Sequence, residues 1–470
     1  MKHLNARRWF ILFAAMAMLT TLVVTVVTVF LVEASPRSAF VSATLALLFI
    51  GFGVLAILLP REWLPAASLL VFALAPKRLL PDALGDIHPA SILLFVWVIR
   101  TQFNGQRREQ SRGNRITIVL GYVAFFWTLV SSAFSIDIVN SLVWVGVFVA
   151  TVIFVIGNGL TEKENKLLTQ TWLVAGSVLG SYAVVEAVLK RNPLYGPIYS
   201  VFGDDGQHWE TYRSTATLGH PLFAGMFLTV AAAMAVSRLI DGFKLIRVLA
   251  VIACVGGMIA TLSRGAILAL AIATLFGFAV AVSRNARRRL TIVLSFSALA
   301  LVGVAFVSAS PDILGRFSSD EATGSLDQRV RTIGIVVDAL GRAVATGAGP
   351  GNAALSLGDQ ILSLRYIENS FLQILLGLGV IGLILVLALL LSAFVQSWRR
   401  GDTLGVMQLV SFVVAIAGYN ALDDQRVTIT LLGLVLAMSM DRVTVHPKGM
   451  SRLNIPVAST LKLSPPRVSP

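Results

Sequence analysis

Apolar runs of about 15 to 25 residues, divided by short tracts rich in arginine and lysine, recur from one end of the chain to the other. A run of that length crosses a hydrocarbon core of ~30 Å as an α-helix, and it lacks the alternation of a membrane β-strand. Hydrophobic residues make up 56% of the 470 and charged residues 13%, too little polar surface to solvate a water-soluble globule of this size. The fold class expected is all-α, a polytopic integral membrane protein with about 12 to 14 transmembrane helices.

Taken as crossings, the runs place helices near residues 9–32, 39–59, 64–80, 83–99, 116–134, 138–157, 167–189, 221–237, 248–262, 265–282, 290–308, 370–395, 403–421 and 427–440. The third and fourth are cut by Pro65, Pro76, Pro81 and Pro89 and read as short tilted spans or a re-entrant pair. Lys2, Arg7 and Arg8 precede an apolar run about twice the length of a signal-peptide core, so the first run is read as an uncleaved helix.

A formal net charge of +14 would suit a nucleic-acid partner, but the basic residues lie between apolar runs rather than on one soluble face. They act instead as topology signals, and no nucleic-acid partner is expected. The positive-inside rule puts both termini, the tract Arg100 to Arg115, the run Arg284 to Arg289, and Arg399 with Arg400 in the cytoplasm. Residues 1–440 then form one transmembrane domain with outer-face loops at 190–220 and 309–369. Residues 441–470 form a cytoplasmic tail, Pro- and Ser-rich at its end and expected to be disordered. Cys254 is the single cysteine, and the five histidines have no spacing that pairs two on one helix face. Neither a metal site nor a cofactor is expected.

The loop 309–369 holds five arginines against seven acids, so its arginines do not serve to retain it in the cytosol. Leu326, Val330, Ile333, Val337 and Leu340 recur at helical spacing and predict an amphipathic helix on the membrane's outer face, with Arg329 and Arg331 on its first turns. Gly347, Gly349 and Gly351 around Pro350 predict a turn that needs positive φ or close backbone approach. Arg365, Glu368 and Asn369 then stand at the mouth of the next apolar helix.

Arg213, Arg264, the pair Arg329 and Arg331, and Glu368 all fall on the outer side by topology. Planar guanidinium groups hold phosphoryl oxygens bidentately, which suits a diphosphate. A carboxylate beside them suits a general base. Each also has a plainer role: Arg264 snorkelling to the interface, Arg213 anchoring a loop, Glu368 capping the following helix. Of Arg329 and Arg331, two apart on a helix, one at most faces the site, and Arg329 is preferred. Asn369 reads as a cap or supporting group, and His220 before Pro221 as a catalytic candidate whose alternative is a loop hydrogen bond. Asp204, Asp205, His208 and Glu210, and likewise Asp423 and Asp424, read as loop-solvating residues.

These segments resemble the O-antigen ligase and polymerase superfamily, bacterial membrane glycosyltransferases that use polyprenyl-diphosphate-linked glycans. The resemblance spans about residues 210–390 and rests on four stretches in family order. They are Arg213 through Gly219-His220-Pro221, then Thr261-Leu262-Ser263-Arg264-Gly265-Ala266, then Gly347-Ala348-Gly349-Pro350-Gly351, and finally Glu368-Asn369 with Gly379 and Gly382 beyond. The family's ligases carry histidine where this chain has Glu368. The resemblance implies an inverting, metal-independent transfer at the outer face of the bacterial inner membrane. Arg213, Arg264 and Arg329 or Arg331 would hold the donor diphosphate, with Glu368 serving the acceptor. Because of the substitution, it implies a polymerase of lipid-linked repeat units for a surface polysaccharide or exopolysaccharide before a ligase to a lipid acceptor. The implied partners are the lipid-linked donor, the glycan acceptor, the bilayer and other polysaccharide-assembly proteins. A transporter or flippase is the rival from another class, but no internal repeat with midplane charges is visible. A non-catalytic assembly partner is the third possibility.

Overall fold

The computed structural model describes residues 53, 56, 58–75, 87–103, 107–201, 211–284, 320–341, 343–358, 367–423 and 425–446. The predicted spans 9–32 and 290–308, nearly all of 39–59, and the tail beyond 446 lie outside the described residues.

After a short turn at Arg61–Trp63, the described helices are α1 (Leu64–Leu74), α2 (Pro89–Phe103), α3 (Arg112–Ala133), α4 (Ile138–Asn158), α5 (Glu162–Leu189), α6 (Gly196–Val201), α7 (Pro221–Ile240), α8 (Leu245–Ala260), α9 (Arg264–Arg284), α10 (Asp320–Leu340), α11 (Ser370–Arg400), α12 (Thr403–Ile416) and α13 (Val427–Ser439). Among the described residues, α3, α4, α5, α7, α9 and α11 are long and apolar enough to cross a membrane, and α2, α8, α12 and α13 are shorter apolar helices. The chain is an all-α, multi-pass membrane protein. Two three-residue strands, β1 (Arg107–Glu109) and β2 (Thr444–His446), pair antiparallel, so the start of the predicted tail is tied to the loop before α3.

Polar caps set the helix starts. Thr161 and Glu164 form a reciprocal capping box, which begins α5 at Glu162, ahead of the apolar run itself. The side chains of Ser111, Asp137 and Asp402 accept backbone N–H groups at the starts of α3, α4 and α12.

Helix α7 is the centre of the bundle. It is buried without interruption from Phe223 to Ser237 and packs on α5, α8, α9 and α12. Phe72 of α1 and Trp172 of α5 pack on its own Phe223 and Phe227. Helices α5 and α8 touch backbone to backbone, since a Cβ added to Gly257 would lie 2.2 Å from the Cα of Gly180. Small residues at such crossings let membrane helices gain van der Waals contact where hydrophobicity gives no drive. The outer surface carries Ile116, Phe126, Val174, Val178, Leu268 and Leu275, apolar groups that suit lipid.

The bundle has two chemically distinct ends. One gathers Arg238, Lys244, Arg399, Arg400 and Asp441, with the Ser397 hydroxyl donating to the Ser439 carbonyl at 2.6 Å and Arg400 paired to Asp441. The other gathers His220, the turn Thr261–Arg264, Asn369 and the end of α12.

Candidate functional site

The N-terminus of α11 is capped by Asn369, whose Oδ1 accepts the N–H groups of Phe371 at 2.9 Å and Leu372 at 3.2 Å. Those two donors are therefore satisfied without Glu368, the residue just before the cap. The Glu368 carboxylate instead faces α10, where an Nη2 of Arg329 lies 3.6 Å from its Oε2. Both side chains keep about two-fifths exposure, 45% for Arg329 and 37% for Glu368. A cleft of about 180 Å³ opens between Arg329, Thr332, Ile333, Glu368, Asn369, Leu372 and Ala417. Arg331 is exposed and does not line it.

Helix α10 turns Thr332, Val336 and Leu340 toward the protein, and Val336 and Leu340 pack with Ala353, Leu357, Ile367 and Leu376. Val330, Ile333 and Val337 of the predicted stripe are exposed. The helix thus has a protein face beside an exposed apolar face, and Arg329 stands at the border.

Beneath the cleft, α11 is broken. Gly379 adopts φ 69° and ψ −175°, so the carbonyls ahead of it lose their helical partners. The glycine-rich loop fills the gap: Ala348 N donates to Leu376 O at 2.8 Å and Gly349 N to Gly377 O at 2.9 Å, while Trp127 Nε1 donates to Leu378 O at 2.9 Å. The Val380 N–H, displaced from the helix ladder, donates to Val344 O at 2.9 Å. Gly347, Gly349 and Gly351 all have positive φ, as their spacing predicts. Asp423 completes the clasp, its carboxylate accepting Gly351 N at 2.7 Å and Ala353 N at 3.0 Å. Asp423 is buried, so the expectation that it merely solvates a loop is wrong; Asp424 is outside the described residues. With these amides committed to protein acceptors, the loop serves as a clasp around the helix break and not as a phosphate cradle.

Arg213 is buried and its Nε donates to Thr261 O at 3.2 Å, joining it to the α8–α9 turn that carries Arg264. Ser214 N donates to Ala260 O at 3.0 Å on the same turn. Ser263 caps α9 through its hydroxyl, 3.3 Å from Ala266 N, and Arg264 is the first helical residue, half-buried. Arg213 and Arg264 therefore belong to one connected unit. The loop after Arg213 is fastened by Glu186 of α5. This carboxylate accepts the Tyr212 hydroxyl at 2.9 Å, Thr215 N at 3.0 Å, the Thr215 hydroxyl at 3.2 Å and Ala216 N at 2.8 Å. Burial, and then the Glu186 charge, push the Tyr212 phenol above its ordinary range, so it stays a donor.

His220 caps α7: its Nδ1 accepts Leu222 N at 3.2 Å, an assignment that leaves the ring proton on Nε2 when the imidazole is neutral. Its ring stacks on Tyr419 at 5.8 Å. Tyr419 follows Ala417, which lines the cleft, and its carbonyl accepts the Ser370 hydroxyl at 2.7 Å. His220 is thus linked to the segment Ala417–Tyr419, whose first residue lines the cleft. Arg365, Asp204, Asp205, His208 and Glu210 lie outside the described residues.

Residues 249–387 match the family described as O-Antigen ligase. The match supports the resemblance to the O-antigen ligase/polymerase superfamily over this segment of the chain. The ligase-family segment contains Arg264, Arg329, Arg331, Gly349, Gly351, Arg365, Glu368 and Asn369, while Arg213 and His220 precede it. No curated protein matches the chain.

Two residues around the ligase-family segment escaped the sequence reading. Glu186 lies inside an apolar run, where a carboxylate is costly enough to signal a partner. Asp423 stands beside a second aspartate and Arg426, a pattern indistinguishable from a solvated turn.

Proposed function

We propose that the protein is a glycosyltransferase of the bacterial inner membrane, with both termini cytoplasmic, that polymerises polyprenyl-diphosphate-linked oligosaccharide units into a surface polysaccharide or exopolysaccharide. The observation that carries this reading is the Glu368–Arg329 pair at the cleft above the broken helix, within the ligase-family segment. A carboxylate that is not spent on capping, and that keeps solvent access, suits proton transfer from an acceptor hydroxyl.

In the proposed reaction, the acceptor oxygen attacks the anomeric carbon of the donor as its proton passes to Glu368. The bond from that carbon to the diphosphate oxygen breaks, and the electron pair leaves with the polyprenyl diphosphate. A single displacement of this kind inverts the anomeric centre. Arg329, and the unit that holds Arg213 and Arg264, would meet the charge that grows on the leaving diphosphate. His220, with its proton on Nε2, suits donation to an oxygen rather than service as a base. Arg331, exposed beside an apolar face, suits a contact with phosphate at the membrane surface.

Glutamate in place of the family histidine favours a polymerase over a ligase. Purified protein given one lipid-linked repeat unit in lipid nanodiscs is expected to yield a ladder of longer lipid-linked glycans. A single addition to a second lipid, with no ladder, would replace the polymerase reading with the ligase one.

A further inference from the structure

Glu186 has no part in the reaction just proposed, yet its surroundings are unusually specific. It is fully buried near the end of α5, and both of its oxygens are used by one short stretch, Tyr212 to Ala216. Ala216 has φ 49°, a left-handed conformation that a residue bearing a Cβ adopts at a cost. Both sides of that residue are pinned: its N–H donates to Glu186 Oε2 at 2.8 Å, and its carbonyl accepts Asn192 Nδ2 at 2.8 Å. The same Asn192 accepts the Tyr182 hydroxyl at 2.5 Å and donates to the Thr215 hydroxyl at 3.2 Å. Arg213, between Tyr212 and Ser214, is consequently fixed from one side by α5 and from the other by Thr261 O. A buried carboxylate that loses its donors is expensive, and so is a left-handed alanine that loses its carboxylate, so each holds the other in place.

We infer that Glu186 is a positioning residue, whose carboxylate clamps the Tyr212–Ala216 loop so that Arg213 stands with Arg264 at the donor diphosphate. The inference rests on the proposed function only for that last consequence; the clamp itself does not depend on it. Glutamine at this position keeps one oxygen for Tyr212 and Thr215 but sets an amide NH₂ against the Ala216 N–H, two donors face to face. The loop then releases Arg213.

The clamp and its consequence are read separately on the full-length protein in detergent. Trypsin cleavage of the Arg213–Ser214 bond, followed by mass spectrometry, reports the loop; transfer from a lipid-linked oligosaccharide reports the site. In Glu186→Gln, cleavage is expected to speed up and transfer to fall about 10- to 100-fold, as misplacement of a charge-bearing group produces. Adding Ala216→Gly, which adopts φ 49° without the carboxylate, is expected to recover part of both, a rescue that loss of general stability would not show. Tyr212→Phe, which removes one of the four bonds, gives the same changes in smaller degree and serves if Glu186→Gln does not accumulate. Wild-type protection of Arg213–Ser214 in both variants overturns the clamp. Fast cleavage with wild-type transfer leaves the clamp standing and overturns both the positioning role and the assignment of Arg213 to the donor.

Discussion

Replacing Gly379 by alanine tests how the broken helix holds the site. Gly379 sits at φ 69°, ψ −175°, a region where a side chain costs about 1–3 kcal/mol. The added Cβ would lie 2.0 Å from the carbonyl oxygen and 2.4 Å from the carbonyl carbon of Ala345, both backbone atoms that no rotamer change can move aside. The glycine-rich loop has to retreat, and with it go the bonds Val380 N to Val344 O, Ala348 N to Leu376 O and Gly349 N to Gly377 O. Each contributes about 0.5–1.5 kcal/mol net. The expected loss is about 3–7 kcal/mol, in the range reserved for substitutions that break a specific structural device. Gly146→Ala is the control, because no atom lies within 4 Å of its Cβ position on α4, and it should be neutral or stabilising by up to ~1 kcal/mol. Unfolding of the two purified variants in mixed micelles, titrated with SDS, compares them directly. An unfolding free energy for Gly379→Ala within about 1 kcal/mol of wild type would refute the interlock between the loop and the helix break.

Arg264→Lys should keep more transfer activity than Arg264→Ala, by about tenfold or more if the guanidinium meets phosphoryl oxygens; equal, near-normal rates in both would remove Arg264 from the donor site. At the other end of the bundle, burial alone would raise the Asp441 carboxyl, but the Ser111 hydroxyl and Arg400 hold it below its ordinary range. Its stabilisation is therefore present above the unfolded-state pKa of ~4 and is lost as pH falls through the lower native value. Asp441→Asn should unfold more readily than wild type at neutral pH, with the gap narrowing in acid, and a gap that persists unchanged at low pH would contradict the ion-pair assignment.

Much of this architecture was legible because apolar runs are a direct measure of what a bilayer accepts. The helices that begin at Arg112, Ile138, Pro221 and Ser370 all lie where runs predicted them. Ends shifted where polar caps or turns decided them, as at Thr161, or at Ala417, where α12 stops short of the predicted residue 421. The glycine triplet announced positive φ, but not that its partner would be the gap at Gly379, because one residue's backbone angle in a 31-residue helix leaves no trace in hydropathy. Of the predicted stripe, Leu340 is buried while Val330, Ile333 and Val337 are exposed; Thr332 and Val336 join Leu340 on the protein face, which periodicity alone could not single out. Topology put Arg329 on the same side as Glu368, and the i, i+2 argument preferred it to Arg331; the ion pair between the two is visible only in the structure. Glu186 and Asp423 were lost because buried carboxylates that accept backbone N–H groups announce themselves only through partners distant in sequence.

The central claim is that Glu368 accepts the acceptor's proton while Arg329 and its partners hold the donor. The most direct test is the transfer rate of purified Glu368→Gln with a lipid-linked oligosaccharide, measured beside its unfolding midpoint. The glutamine side chain is nearly isosteric with glutamate and Asn369 still caps α11, so the fold should be unchanged, whereas loss of a general base lowers the rate about 10²- to 10⁴-fold. A stable Glu368→Gln protein that builds the glycan at the wild-type rate would contradict the account.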